Sequence, residues 1–165
     1  MIKKKFFICL VLAVMAIGAN AQTTWNVRVG AGTFGIIKDN FDGVSQRFGP
    51  ALTAECNIPF KLGGSYTFSP SILAALSSGS SDAYTEIVSC LHLGYKTVLS
   101  NNVLFFPKIG PMLGYCDNVW DSTCLLGPSA ELAFEMKHFV VALNAYIGLI
   151  DETQPGGFLS FGYKF

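Results

Sequence analysis

From Trp25 onward, apolar and polar residues alternate, and clusters rich in Gly, Asn, Asp and Ser interrupt the alternation. A period of two is the mark of a strand with two unlike faces. The interruptions divide the chain into segments at 25–34, 46–58, 66–77, 84–96, 103–116, 123–137, 138–149 and 157–165. In the sixth, Cys124, Leu126, Pro128, Ala130, Leu132, Phe134 and Met136 share one face. Thr123, Leu125, Gly127, Ser129, Glu131, Ala133, Glu135 and Lys137 share the other. The eighth sets Leu159, Phe161, Tyr163 and Phe165 against Phe158, Ser160, Gly162 and Lys164. The first sets Trp25, Val27, Val29 and Ala31 against Asn26, Arg28, Gly30 and Gly32. Short strands separated by turn signals predict an all-β fold of antiparallel neighbours.

Composition decides which surroundings these strands meet. Charged residues make up 13% of the chain and mean hydropathy is +0.44, where a soluble domain carries about 25% charge. Yet after residue 21 no apolar run approaches the ~18 residues that a membrane helix needs. A chain this apolar, with its apolar residues spread at period two, can cross lipid only as a closed barrel. Every backbone polar group must then find its partner inside the protein. The sequence therefore predicts an eight-stranded, antiparallel, up-and-down transmembrane β-barrel spanning residues 22–165.

The charges orient the faces. Of the 19 charged residues after position 21, nine fall in loops and turns. The other ten are Arg28, Arg47, Glu55, Glu86, Lys96, Lys108, Glu131, Glu135, Lys137 and Lys164, each on the less apolar face of its segment. Ten charges cannot solubilise the outside of a barrel. They suit an interior in which Arg and Lys pair with Glu around a narrow lumen. The expected lumen lining is Arg28, Arg47, Glu55, Glu86, His92, Lys96, Lys108, Glu131, Glu135 and Lys164. A soluble lipocalin-like barrel would reverse the faces and leave its outer surface almost bare of other polar cover.

An even number of strands places both chain ends on one side of the membrane, the periplasmic one, which fixes each strand's direction. Trp25, Tyr66, Phe68, Phe105 and Phe139 then lie near the starts of upward strands, and Phe60, Tyr95, Phe134, Tyr163 and Phe165 near the ends of downward ones. They converge on one rim, as an interfacial girdle does. Trp25, Tyr66, Phe105, Phe139, Tyr163 and Phe165 are its expected core. The short turns fall near 59–65, 97–102 and 137–138, and the outer loops near 35–45, 78–83, 117–122 and 150–156. All six Asp residues (Asp39, Asp42, Asp82, Asp117, Asp121 and Asp151) fall in the outer loops with Glu152. Asp favours loops in general; the remainder of the bias is a mildly acidic outer surface.

Met1 to Ala21 has the three parts of a secretory leader: basic Lys3, Lys4 and Lys5, an apolar run from Phe6 to Ile17, and the small-residue cleavage site Ala19-Asn20-Ala21. The run is too short to anchor the chain as a membrane helix. Cys9 lies inside that run, so a lipoprotein signal is not indicated. Loss of the leader leaves eight basic and eleven acidic residues, a net charge of −3. That balance argues against a nucleic acid or another polyanion as partner.

With these segments in place, the chain resembles the small outer-membrane β-barrel domains common in Bacteroidetes, grouped with porin-like and OmpA/OmpX-type eight-stranded barrels. The resemblance spans residues 22–165. It rests on Trp25-Asn26-Val27-Arg28-Val29-Gly30-Ala31-Gly32, Phe68-Ser69-Pro70-Ser71-Ile72-Leu73, Ile109-Gly110-Pro111 and the closing Phe161-Gly162-Tyr163-Lys164-Phe165. It implies a Gram-negative outer-membrane location, contact with outer-membrane lipid, and recognition of the terminal aromatic Phe165 by the barrel-assembly machinery. Members often carry Glu after the Pro of the third strand; here the residue is Ser71, so no role for that carboxylate carries over.

Chemistry-bearing residues are few. His92 and His138 both fall on the expected lumen face. One of them beside a Ser could act as a general base, but no His-x-Ser arrangement like that of the lipid A deacylases occurs, and polar packing in the lumen is the simpler use. Cys116 and Cys124 bracket the third outer loop, in a compartment that permits disulfides; the spacing leaves a bridge or two free thiols open. By parity Cys56 faces lipid and Cys90 the lumen. No close Cys/His cluster suggests a metal. Gly30, Gly32 and Gly35 precede no helix that could complete a phosphate site and are expected to relieve crowding in a curved strand. The expectation is a non-enzymatic envelope barrel with a structural or surface-interaction role and no cofactor. A narrow pore or solute binder lined by Arg28, Arg47, Lys108 and Glu131, or a lipid-acting enzyme, are the alternatives. N-terminal sequencing of the membrane-extracted protein should read from Gln22; a protein that retains Lys3 to Lys5 would refute the leader.

Overall fold

The computed structural model describes residues 23–37, 44–60, 65–78, 83–118, 122–149 and 153–165. The leader, Lys61, and the loop residues Asp39, Asp42, Asp82, Asp121, Asp151 and Glu152 lie outside these ranges. Alternation folds as strands throughout: β1 (Thr24–Ile37), β2 (Val44–Pro59), β3 (Tyr66–Ser78), β4 (Ala83–Tyr95), β5 (Thr97–Ser100), β6 (Val103–Asn118), β7 (Ser122–Glu135), β8 (Phe139–Gly148) and β9 (Gln154–Lys164). They hydrogen-bond in the order β4-β3-β2-β1-β9-β8-β7-β6-β5, and a β4–β6 ladder closes the circle. Every pairing is antiparallel. β4 and β5 share one register against β6 as far as Val98, with Gly94 opposite Lys108 and Thr97 opposite Phe105, before it shifts by one at Ser100. They are one strand interrupted at Lys96, so the closed barrel has eight staves.

Several strands run longer than periodicity alone predicts. The fourth continues past Lys96 to Ser100, because the turn is made by Asn101 and Asn102 rather than beginning at 97. The first hairpin extends to Ile37 and Val44, which pair with each other. The last strand begins at Gln154, where Gln154, Pro155 and Gly156 read as the end of a loop. Gly156 and Gly157 pair with Tyr146 and Ala145. A Cβ at Gly156 would collide with the Tyr146 ring, so the glycine serves packing within the ladder rather than a turn.

Inside and outside follow parity. Val29, Leu52, Ile109, Leu143 and Leu159 point outward and are exposed, whereas Arg28, Thr53, Lys108, Asn144 and Ser160 between them are buried. Three residues depart from expectation: Cys56, Lys137 and His138. Cys56 has outward parity but only 2% exposure; it lies opposite Trp25, whose bulk sits beside it on the outer surface. His138 is not in the lumen. It occupies the β7–β8 turn with Lys137, both exposed, and stacks on Tyr163 at 5.6 Å.

The aromatic residues at the end carrying both termini form a belt of ring clusters. Tyr66 packs on Tyr95 at 5.0 Å, Phe105 on Phe134 at 5.2 Å, and Tyr163 on Phe165 at 5.1 Å. Phe139 meets both Phe161 and Tyr163. Trp25 joins the belt through its carbonyl, which accepts from Phe165 N at 2.8 Å. Tyr66, Tyr95, Phe134, Phe139, Tyr163 and Phe165 are all exposed, while Trp25 and Phe105 are half-buried. Above the belt, Leu132, Leu143 and Leu159 make one cross-strand row on the outer face. If that row contacts hydrocarbon, Leu143→Arg should cost about 2–4 kcal/mol near the midplane. Urea titration in phospholipid vesicles checks it; a cost near zero would place this face in water.

Candidate functional site inside the barrel

The inward faces fill the lumen in layers. At its middle sit two cations and two carboxylates: Arg28 from β1, Glu55 from β2, Lys108 from β6 and Glu131 from β7. Their exposures are 1%, 1%, 3% and 1%. Arg28 Nη1 and Nη2 donate to Glu131 Oε1 and Oε2 at 2.8 and 2.9 Å, a two-pronged contact. Arg28 Nη2 also reaches Glu55 Oε2 at 3.2 Å. Lys108 Nζ donates to both oxygens of Glu55, at 2.7 and 2.6 Å, and lies 2.6 Å from Glu131 Oε1. Each cation therefore holds both carboxylates. Lys108 and Glu131 are direct cross-strand partners, while Arg28–Glu131 and Lys108–Glu55 cross the lumen between distant staves. Asn26 Nδ2 donates to Glu55 at 3.0 Å and Asn144 Nδ2 to Glu131 at 3.4 Å. The charge sums to zero, and the group bridges the lumen between distant staves.

Toward the termini, Phe106, Ala133, Val140 and Ala142 form an apolar layer. Gly94 leaves space for the Phe106 ring, which a Cβ there would strike. The two ring contacts of Phe106 are cationic: Lys96 Nζ at 4.6 Å and Lys108 Nζ at 4.5 Å, a geometry that attracts ammonium to the π face. Below this layer Glu135 Oε2 takes Lys96 at 3.1 Å and Lys164 at 3.0 Å.

Toward the loops, a larger apolar layer contains Phe34, Leu73, Tyr84, Met112, Leu125, Tyr146 and Phe158. Phe34 stacks between Tyr84 and Phe158 at 5.4 and 5.7 Å. Glu86 accepts from the Tyr146 hydroxyl. Tyr84 OH contacts Cys116 Sγ and donates to Gln154 Oε1 at 3.1 Å. Arg47 is half-buried, with its guanidinium 5.0 Å from the Tyr84 ring centroid. It caps this layer and takes no part in the central cluster.

The two cysteines that flank the third outer loop do not bridge. Both thiols are free. The register sets Cys116 opposite Thr123 and Cys124 opposite Tyr115, one position out of step, so alternation sends the side chains to opposite faces. Cys116 is buried against Tyr84, and Cys124 is half-buried on the other side. This corrects the bridge that spacing allowed.

His92 Nε2 does meet a hydroxyl, Ser129 Oγ, at 2.8 Å. The pair lies inside the lumen, away from the lipid-facing side of the wall. His92 and Ser129 are buried within the lumen, Ser129 Oγ is also hydrogen-bonded to the Gly110 carbonyl at 3.0 Å, and no group meets His92 Nδ1 to orient the ring. Among the described residues no cluster of three His, Cys, Asp or Glu side chains could hold a metal.

Sequence reasoning gave no weight to the interior aromatics Phe34, Tyr84, Phe106, Tyr146 and Phe158. Their parity was the available signal: Phe106 alternates in step with Lys108, and Tyr84 with Glu86.

A closed ring of eight antiparallel staves, apolar outside, belted with aromatics at one end and filled by ion pairs, defines the architecture of small outer-membrane barrels. No protein-family model and no curated protein sequence matches this chain. Solved structures do. Neisserial surface protein A (NspA) superposes with a TM-score of 0.62 at 9% identity, covering 85% of this chain and 95% of that one. Ail, the attachment invasion locus protein of Yersinia pestis, does so with a TM-score of 0.56 at 11% identity, covering 86% and 98%. Ail in complex with the heparin analogue sucrose octasulfate gives 0.53 at 12% identity, covering 87% and 99%. At these identities the likeness is one of fold.

The central cluster generates a sharp expectation. Glu131→Leu would strand Arg28 and Lys108 with a single carboxylate in a buried setting, and should destabilise the barrel by about 3–5 kcal/mol. Urea unfolding in detergent micelles measures it; an unchanged midpoint would mean that the cluster contributes nothing.

Proposed function

We propose that the protein is a non-enzymatic outer-membrane barrel, delivered by a cleaved leader, whose role is structural or one of surface interaction. The observation that carries this reading is the neutral Arg28–Glu55–Lys108–Glu131 group across the bore. An eight-stranded barrel has an interior just wide enough for its own side chains. Here ion pairs occupy its centre and apolar layers lie on either side of them, which supports a filled interior over a path for a solute. Function then falls to what the barrel presents outside: loops on one side and a lipid-facing wall.

The resemblance to surface proteins supports a contact role for the loops. The heparin analogue bound by Ail is a poor model for a ligand here, because the outer loops of this chain hold all six Asp residues and Glu152 in sequence. An acidic surface repels a polysulfate and favours cationic or neutral partners. Planar-bilayer recording tests the reading. The purified protein should insert without stepwise ion conductance; discrete conductance steps would establish the narrow pore instead, and hydrolysis of lipid A or phospholipid by the same preparation would establish an enzyme.

A further inference from the structure

The mouth at the end carrying both termini is built differently from the closed centre. Lys96 and Lys164 converge on one oxygen, Glu135 Oε2, at 3.1 and 3.0 Å. The carboxylate side chain is 1% exposed, whereas the lysines retain 22% and 17%. The acid is enclosed, and the two lysines that hold it are the part of the group that solvent reaches. An ammonium carries three donors and no acceptor. Each lysine has one hydrogen bond here, to Glu135, which leaves donors on both for an anion. Phe106 closes the floor above them.

The rim around this mouth is basic. Lys137 is exposed in the adjoining turn, and its neighbour His138 accepts a backbone bond from Lys164 N at 2.8 Å. Set against Glu135, Lys96 and Lys164 leave the mouth itself with one net positive charge among the described residues, and Lys137 adds a further ammonium at the rim. The nearest other carboxylates among the described residues, Glu55 and Glu131, are held deeper in by Arg28 and Lys108. The rim is also where the two faces of the wall meet. Inward-facing Lys164 stands between Tyr163 and Phe165, both exposed on the lipid side, with Phe139 beside Tyr163. Donors for a phosphate and apolar rings for an acyl chain thus lie within one residue of each other.

We propose that this mouth binds the phosphate group of an anionic phospholipid from the adjacent leaflet, with Lys96 and Lys164 on the phosphate and the Tyr163–Phe165–Phe139 rings along the chain. The proposal rests on the membrane-spanning reading above. Free phosphate offers the same donors an anion but has nothing to lay on the rings.

Trp25 is the natural reporter, since its carbonyl bonds to Phe165 at this rim. Trp120→Phe removes the only other tryptophan. The membrane-extracted protein carrying that change is reconstituted into phosphatidylcholine vesicles with a minor fraction of phosphatidylglycerol, with the bromines placed on one lipid or the other. Folding is scored separately by heat-modifiable migration on a gel. One net basic side chain at a lipid surface should enrich the anionic lipid about fivefold beside Trp25, so brominated phosphatidylglycerol should quench more strongly than its mole fraction predicts. The enrichment should vanish in Lys96→Gln with Lys164→Gln and persist in Lys137→Gln. If the double variant fails to fold, adding Glu135→Gln removes the stranded carboxylate and restores the comparison. Enrichment should also survive excess inorganic phosphate at ionic strength matched with chloride. Quenching at mole-fraction level in folded protein, equal loss in Lys137→Gln, or displacement by inorganic phosphate beyond that by chloride would each overturn the lipid site. Failure to insert in any vesicle would instead overturn the membrane reading on which it stands.

Discussion

The rest of this barrel depends on the arrangement in which Arg28 and Lys108 each hold both Glu55 and Glu131. Removing four charges from water is expensive, and replacing a whole buried ion group with apolar residues is often neutral. The cluster is therefore better understood as a device for specificity than as a store of stability. Its members come from β1, β2, β6 and β7, so satisfying it requires those walls to face each other at one relative height. A slip of one residue in any of the four strands would turn a charge toward the outer surface. Once that register is fixed, the layers on either side follow, because Phe106 and Lys96 lie beneath Lys108 while His92 and Ser129 lie above it.

The same fixed parity explains what could be read from the chain and what could not. Alternation with few charges was enough to expect eight antiparallel staves and to assign faces, since a charge on the lipid side has nowhere to go. It was not enough to say which charges meet. Arg28 and Glu131 are separated by most of the barrel in sequence, and only closure through β4–β6 and β1–β9 brings them together. Local spacing misled at Cys116 and Cys124, where nearness along a hairpin hides opposite faces. It misled at His138, because parity loses its meaning in a turn; the ring turned outward to stack on Tyr163. It cut the last strand short at Gly156, a residue chosen for the space it leaves to Tyr146.

The two ends of the barrel solve different problems with the same residue types. At the terminal end, aromatics face outward and pair with one another, while lysines surround a single buried carboxylate. At the loop end, aromatics turn inward: Phe34, Tyr84, Tyr146 and Phe158 stack across the bore under Arg47. Outward rings suit an interface between hydrocarbon and water. Inward rings suit a wall that has lost its lipid, because they give strands longer than a membrane requires a core of their own. β2 and β6 are each 16 residues long, where about 9–11 span a bilayer.

That extra length sets where function can reside. The barrel is packed at its centre with matched charge and at its loop end with stacked rings, so a passage through the centre would have to separate buried ion pairs. Its His–Ser contact is enclosed by the same packing. What remains variable without cost to the core is the sequence beyond Ile37, Ser78, Asn118 and Gly148, the loop-end limits of β1, β3, β6 and β8. The long strands lead to those connections along a wall packed from within. A rigid scaffold that presents adaptable loops is the form in which folds of this size take on binding roles. The acidic bias of those segments is then the first constraint that the proposed surface role must meet.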